Sequence, residues 1–215
     1  MAIASTDGDT VRRLGTAGLA GVIAFAVVCT AMQWLRSDLD WLRAPLSFYL
    51  VDAHGLWVRV VYTGLGVSLV LLGVGYYRAL SPQARSAAPL LLFVVAGIAL
   101  TVTAWAGTNR PQRPPTFEGL VHGLAAQTAF LCVTTAMLLQ AWRLRRDPLW
   151  RGRFALAFGL AAACFVAMWA HALWRDAPRG LTQKVVIVLI LAWLGLAAGW
   201  LRRSGRQAGA GAGGG

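Results

Sequence analysis

Six stretches free of Asp, Glu, Lys and Arg dominate this chain: Leu14–Leu35, Val60–Tyr77, Ser86–Asn109, Gly119–Trp142, Phe154–Trp174 and Val185–Leu201. Each is long enough, at 1.5 Å of rise per residue, to cross a hydrocarbon core of about 30 Å, which needs roughly 17–25 helical residues. They are too long and too evenly apolar for strands. A spanning segment must pair its own backbone groups, which a helix does without a partner. The spacing predicts an all-α fold, a six-helix transmembrane bundle in residues 14–203. Its helices fall near 14–35, 57–78, 86–108, 118–142, 154–174 and 182–202, after an N-terminal segment over 1–13. The Gly/Ala-rich stretch over 204–215 reads as a disordered tail.

Composition agrees. Charged residues are 13% and hydrophobic residues 58% of the chain, about half the charge of a soluble domain. The net charge of +12 would suit a nucleic-acid binder, but the apolar content excludes that class. The basic residues instead mark helix ends among anionic headgroups. Arg12-Arg13 before an apolar run has the order of a signal peptide. The run is too long, and no Ala-x-Ala site follows convincingly, so a retained helix is expected.

Orientation follows from the basic residues. Taking alternate loops, twelve of the twenty Lys and Arg residues fall with the two termini: Arg12, Arg13, Arg78, Arg85, Arg143, Arg145, Arg146, Arg151, Arg153, Arg202, Arg203 and Arg206. The positive-inside rule places that side, and both termini, in the cytoplasm of a cell-membrane protein. Trp34, Trp41, Trp57, Trp105, Trp169 and Trp174 then form an outer aromatic belt, and Trp142, Trp150 and Trp200 an inner one.

No Asp, Glu, Lys or Arg lies well inside any run, which argues against a proton-driven pump or an ion path lined by buried charge. The deep Thr and Ser residues can bond their own helices. Gln127 cannot, and is expected to bond a neighbouring helix. Cys29, Cys132 and Cys164 show no disulfide or metal spacing and read as small apolar fillers. Gly-xxx-Gly pairs at Gly119/Gly123 and Gly195/Gly199 permit close helix contact within the bundle, or a homodimer through Gly195 and Gly199.

Chemistry-bearing residues collect on the outer side: His54, His122 and His171, with Asp52, Glu118 and Asp176 near them. His122 and His171 each sit three residues inside their runs, about 5 Å below the helix edge. Glu118 and His122 share a helix face if the helix has begun by 118. A pocket around Ser47, Tyr49, Asp52, His54, Glu118, His122 and His171 could bind a lipid headgroup or small polar ligand, with no cofactor. Alternatively, His54, His122 and His171 hold Zn²⁺ for a membrane hydrolase with Asp52 or Glu118 as general base. The spacing contains no His-Glu-x-x-His or His-x-x-x-His element. A third alternative is a scaffold or partner subunit of another membrane protein. The long first outer loop, Leu35–Arg59, is apolar enough to lie in the interface or to cover the bundle mouth as a lid. Ser37 and Asp40 suggest that a short helix starts within it.

Three short motifs carry a resemblance. Pro45-Leu46-Ser47-Phe48-Tyr49 with Gly55-Leu56-Trp57, Thr116 with Gly119-Leu120-Val121-His122-Gly123, and Gly180-Leu181-Thr182-Gln183-Lys184 occur in order. They resemble signature elements of the bacterial domain-of-unknown-function family numbered 998, over about residues 15–203. The resemblance implies a six-helix integral membrane protein without an assigned activity. Members of that family often carry an acid after the third helix in a Pro-x-Asp context. Here the region reads Gly107-Thr108-Asn109-Arg110-Pro111, which weighs against a metal centre.

Overall fold

A computed structural model describes residues 2–51, 54–109, 114–174 and 176–211, with side chains from 8 to 204. Among the described residues it is all-helical: α1 (Ala2–Leu35), α2 (Gly55–Ala79), α3 (Ala87–Trp105), α4 (Phe117–Leu144), α5 (Phe154–Leu173) and α6 (Arg179–Gly211). Short 3-10 turns at Leu46–Leu50 and Arg151–Arg153 precede α2 and α5. All six helices contain spans long and apolar enough to cross a membrane. The chain is a multi-pass membrane protein by length and hydropathy.

Hydropathy marks the immersed part of a helix, not its ends. α1 starts at Ala2, twelve residues before the apolar run, and carries Asp9 and Arg12 as an i,i+3 pair at 3.1 Å. α6 continues to Gly211, so residues 204–211 are helical where a disordered tail was expected, and 212–215 lie outside the described residues.

The helices close into a ring. Each packs on its chain neighbours, and α6 returns against α1. Glycines permit the tightest crossings. A Cβ on Gly66 would stand 2.6 Å from the Gly97 carbonyl oxygen, and one on Gly97 2.5 Å from that of Gly66, so α2 and α3 touch backbone to backbone. A Cβ on Gly15 would stand 2.7 Å from the Arg202 amide nitrogen, where α1 meets α6 and the two termini share one end of the bundle. The seams on either side of α5 are the sparsest in the ring. A Cβ on Gly195 or Gly199 would meet no atom within 4 Å, so these two are not the intramolecular contact that their spacing allowed.

The end holding the termini is sealed. Trp150 is buried there, edge-on to Tyr76 at 5.2 Å, with the Arg153 guanidinium 4.6 Å above its ring. The Tyr76 hydroxyl donates to the Ala197 carbonyl. Trp150 is therefore a packing residue, not a belt residue as expected; Trp142 and the six tryptophans of the outer belt are exposed. The buried Asp147 carboxylate accepts from the Ser81 amide at 2.9 Å and the Leu149 amide at 3.0 Å, joining two loops.

At the other end, the first loop folds over the ring as a lid. The Ser37–Asp40 helix does not form. Asp40 accepts from the Leu42 amide and starts a turn over 41–44. Pro45, which has no N–H to continue that turn, opens the 3-10 segment Leu46–Leu50 instead. Both Arg36 and Arg59 hold the far edge of this loop, donating to the carbonyls of Val51 and Leu50. Arg36 also grips Asp38 through two bonds, at 2.7 and 2.8 Å, which keeps that carboxyl below the ordinary range.

Candidate ligand pocket

The ring encloses a cavity of about 840 Å³, lined by residues from all six helices and from the lid. Its composition changes with depth. The lid end supplies Ser47, His122, His171, Arg179 and Gln183; deeper, the lining is Leu65, Leu69, Phe130, Val133, Ile190 and Leu194. Along α4 from His122 to Val133, eleven residues span about 16 Å. The result is an apolar shaft with a polar collar at one end.

Four of the five collar residues are held by identifiable bonds. Nδ1 of His122 lies 3.2 Å from the Ala106 carbonyl. A carbonyl only accepts, so Nδ1 carries the proton here, and the Thr103 backbone also hydrogen-bonds the ring. Nδ1 of His171 lies 2.7 Å from the Thr182 hydroxyl oxygen, which is also 3.2 and 3.3 Å from the Pro178 and Arg179 carbonyls. The hydroxyl has one proton for these three acceptors, so His171 and Thr182 form one donor–acceptor pair in either tautomer. Arg179 donates one N–H to the His171 carbonyl at 2.8 Å and keeps its remaining donors. Gln183 accepts from the Leu46 amide at 2.8 Å, which leaves its amide NH₂.

The Gly180–Lys184 motif is the dock for the lid. A Cβ on Gly180 would lie 2.5 Å from the Ala44 carbonyl oxygen and 2.8 Å from that of Leu42, so only glycine lets the loop lie so close. The Leu181 amide donates to Leu42, and the Lys184 ammonium donates to the carbonyls of Trp41 and Ala44. On the opposite side, Thr116 caps α4 by accepting from the Gly119 amide, while Asn109 accepts from both the Thr116 amide and its hydroxyl. Asn109 thus supplies an acceptor oxygen in the stretch where an acid is common in the resembled family. A Cβ on Gly119 would collide with the Asn109 side chain.

Of the seven candidate residues, Ser47, His122 and His171 line one cavity. Tyr49 is wholly buried in the lid beneath Lys184, and its hydroxyl has no hydrogen-bond partner among the described residues. His54 is exposed at the start of α2 and Glu118 is exposed on α4, its carboxylate lying over Gly107; neither lines the cavity. Asp52 lies outside the described residues. Among the described residues, no three His, Cys, Asp or Glu side chains gather at metal-ligating range. Gln127 lines the cavity, and no hydrogen bond from it to a neighbouring helix is found among the described residues. Five of the six deep Ser and Thr residues bond their own helices: Thr63, Ser68, Thr101, Thr103 and Thr134 each donate to the carbonyl four residues back. Arg179 and Gln183 join the site beyond the candidates. The available signal was the polar run at the mouth of the sixth apolar stretch.

No curated protein matches the chain, and no solved structure does. The family model described as "Protein of unknown function (DUF998)" matches residues 19–200, most of the six-helix ring, and the chain belongs to that family.

Proposed function

We propose that this protein binds a lipid headgroup or a small polar ligand in the collar of the cavity, at the extracytoplasmic face of the cell membrane. The observation carrying the reading is the depth-graded cavity. Polar groups with unspent hydrogen-bonding capacity converge at one end of a large, mainly apolar chamber, the usual composition of a small-molecule site. The basic-residue excess on the opposite side supports an outward-facing collar.

Labelling of a Ser47→Cys variant tests this. A membrane-impermeant maleimide added to intact cells should modify Cys at position 47 from outside. Millimolar glycerol phosphate or phosphocholine should slow that modification several-fold, and the protection should vanish when His122→Ala is added. Unchanged labelling in the presence of both compounds overturns the reading.

A further inference from the structure

Resting on that pocket, we infer that its occupant is a phosphorylated amphiphile with one long aliphatic chain, the phosphate in the collar and the chain in the shaft. Three observations converge. Among the described residues the lining carries one formal charge, the Arg179 guanidinium, and no carboxylate, which favours an anion. The His171 ring, the Ser47 hydroxyl and the Gln183 NH₂ offer further hydrogen-bonding groups to the oxygens of a phosphate monoester. Below the collar the wall is mainly apolar, with Tyr62, Thr103 and Gln127 as polar exceptions, so a headgroup alone would leave most of the chamber unfilled. At a water-sized volume of about 30 Å³ per group, the chamber holds on the order of 30 heavy atoms. That suits a phosphate on one chain of sixteen carbons or so, and is too little for a two-chain phospholipid. Gln127, within the shaft wall, gives the chain's first carbons a polar neighbour without closing the path.

Gly123 supplies a steric probe. It lines the cavity, and a Cβ there meets nothing within 4 Å, so a side chain at this position starts in open space beside the chamber. Gly159 on α5 is equally open but lies outside the lining, and serves as control. The experiment uses the full chain in phosphatidylcholine nanodiscs and hexadecyl phosphate bearing a diazirine at its tail end. Light should attach the probe to the deep lining of α4 and α6, around Val133 and Leu194, saturably and in competition with unlabelled hexadecyl phosphate. Gly123→Phe should reduce labelling about tenfold while Gly159→Phe does not. Arg179→Gln should weaken hexadecyl phosphate about tenfold, the order expected for losing one charge-assisted hydrogen bond, and leave hexadecanol unchanged. Labelling confined to lipid-facing side chains such as Leu124 and Val188, or indifferent to Gly123→Phe, overturns the inference. If that happens while glycerol phosphate still shields the Cys introduced at position 47, the headgroup pocket stands and the tail is removed from it. Loss of both results removes both.

Discussion

Lys184 shows how one side chain fixes a larger element. Its ammonium reaches two lid carbonyls from α6 and sits 5.8 Å from the ring of Tyr49. Lys184→Met keeps the stem and deletes the donors, leaving the Trp41 and Ala44 carbonyls without them. An orphaned buried acceptor costs about 1–3 kcal/mol, so the variant should lose roughly 2–4 kcal/mol, read as a lower melting temperature in detergent. Because the loss falls on the lid, trypsin cleavage at the exposed Arg43 should accelerate before the bundle melts. At the opposite end, Asp147→Ala strands the Ser81 and Leu149 amides and should cost a similar amount, without touching Arg43 cleavage. The Asp38 carboxyl, held down by Arg36, adds a pH arm. Its contribution is present above the ordinary carboxylate range and is lost as pH falls through the depressed value. Lid cleavage should therefore rise only at strongly acid pH, read with an acid-active protease. None of these roles was legible as a role in the sequence. A lysine beside an apolar run reads as a helix-end charge, and its two acceptors come from residues about 140 positions away.

At the scale of elements, the helices themselves were legible and their contacts were not. Immersion in hydrocarbon imposes a one-dimensional constraint on each segment, so uninterrupted apolar length announces a span. What lies across from Gly66 is a property of two segments together. The Gly66–Gly97 crossing leaves no space for a side chain on either helix. Gly97→Val should force α2 and α3 apart, and overpacking of this kind costs about 1–3 kcal/mol. Gly195→Val, which meets open space, should change monomer stability little. A fall in cross-linked dimer in that variant would instead point to the homodimer through Gly195 and Gly199. Thermal unfolding of the two variants side by side checks the contrast. Length misled in the other direction at the ends of α1 and α6, where charge ended the apolar run but did not end the helix.

For the molecule as a whole, ring closure places residues from six helices around one chamber, and that convergence cannot be read along a line. Ser47, His122 and His171 were legible as candidates because each is polar near an apolar boundary. His54, Glu118 and Tyr49 share that property and yet stand apart from the chamber, because side-chain direction depends on how each helix is rotated against its neighbours. Orientation in the membrane is also a whole-molecule property, and it rests on a small excess of charge. The last turn of α4 and the loop to α5 together carry five of the twelve arginines on the side of the termini. Two of the five are committed to rings: Arg145 lies 4.1 Å over Trp142, and Arg153 4.6 Å over Trp150. Replacing the other three, Arg143, Arg146 and Arg151, with Gln lowers that side to nine basic residues against eight and spares the stacked pairs. A reporter fused after Arg206 should read cytoplasmic in the parent chain. In the triple variant it should divide between the two sides, because the bias that sets insertion has nearly gone while the folded ring keeps its packing. A parent fusion that reads extracytoplasmic would turn the collar toward the cytoplasm, and with it the side from which any ligand must come.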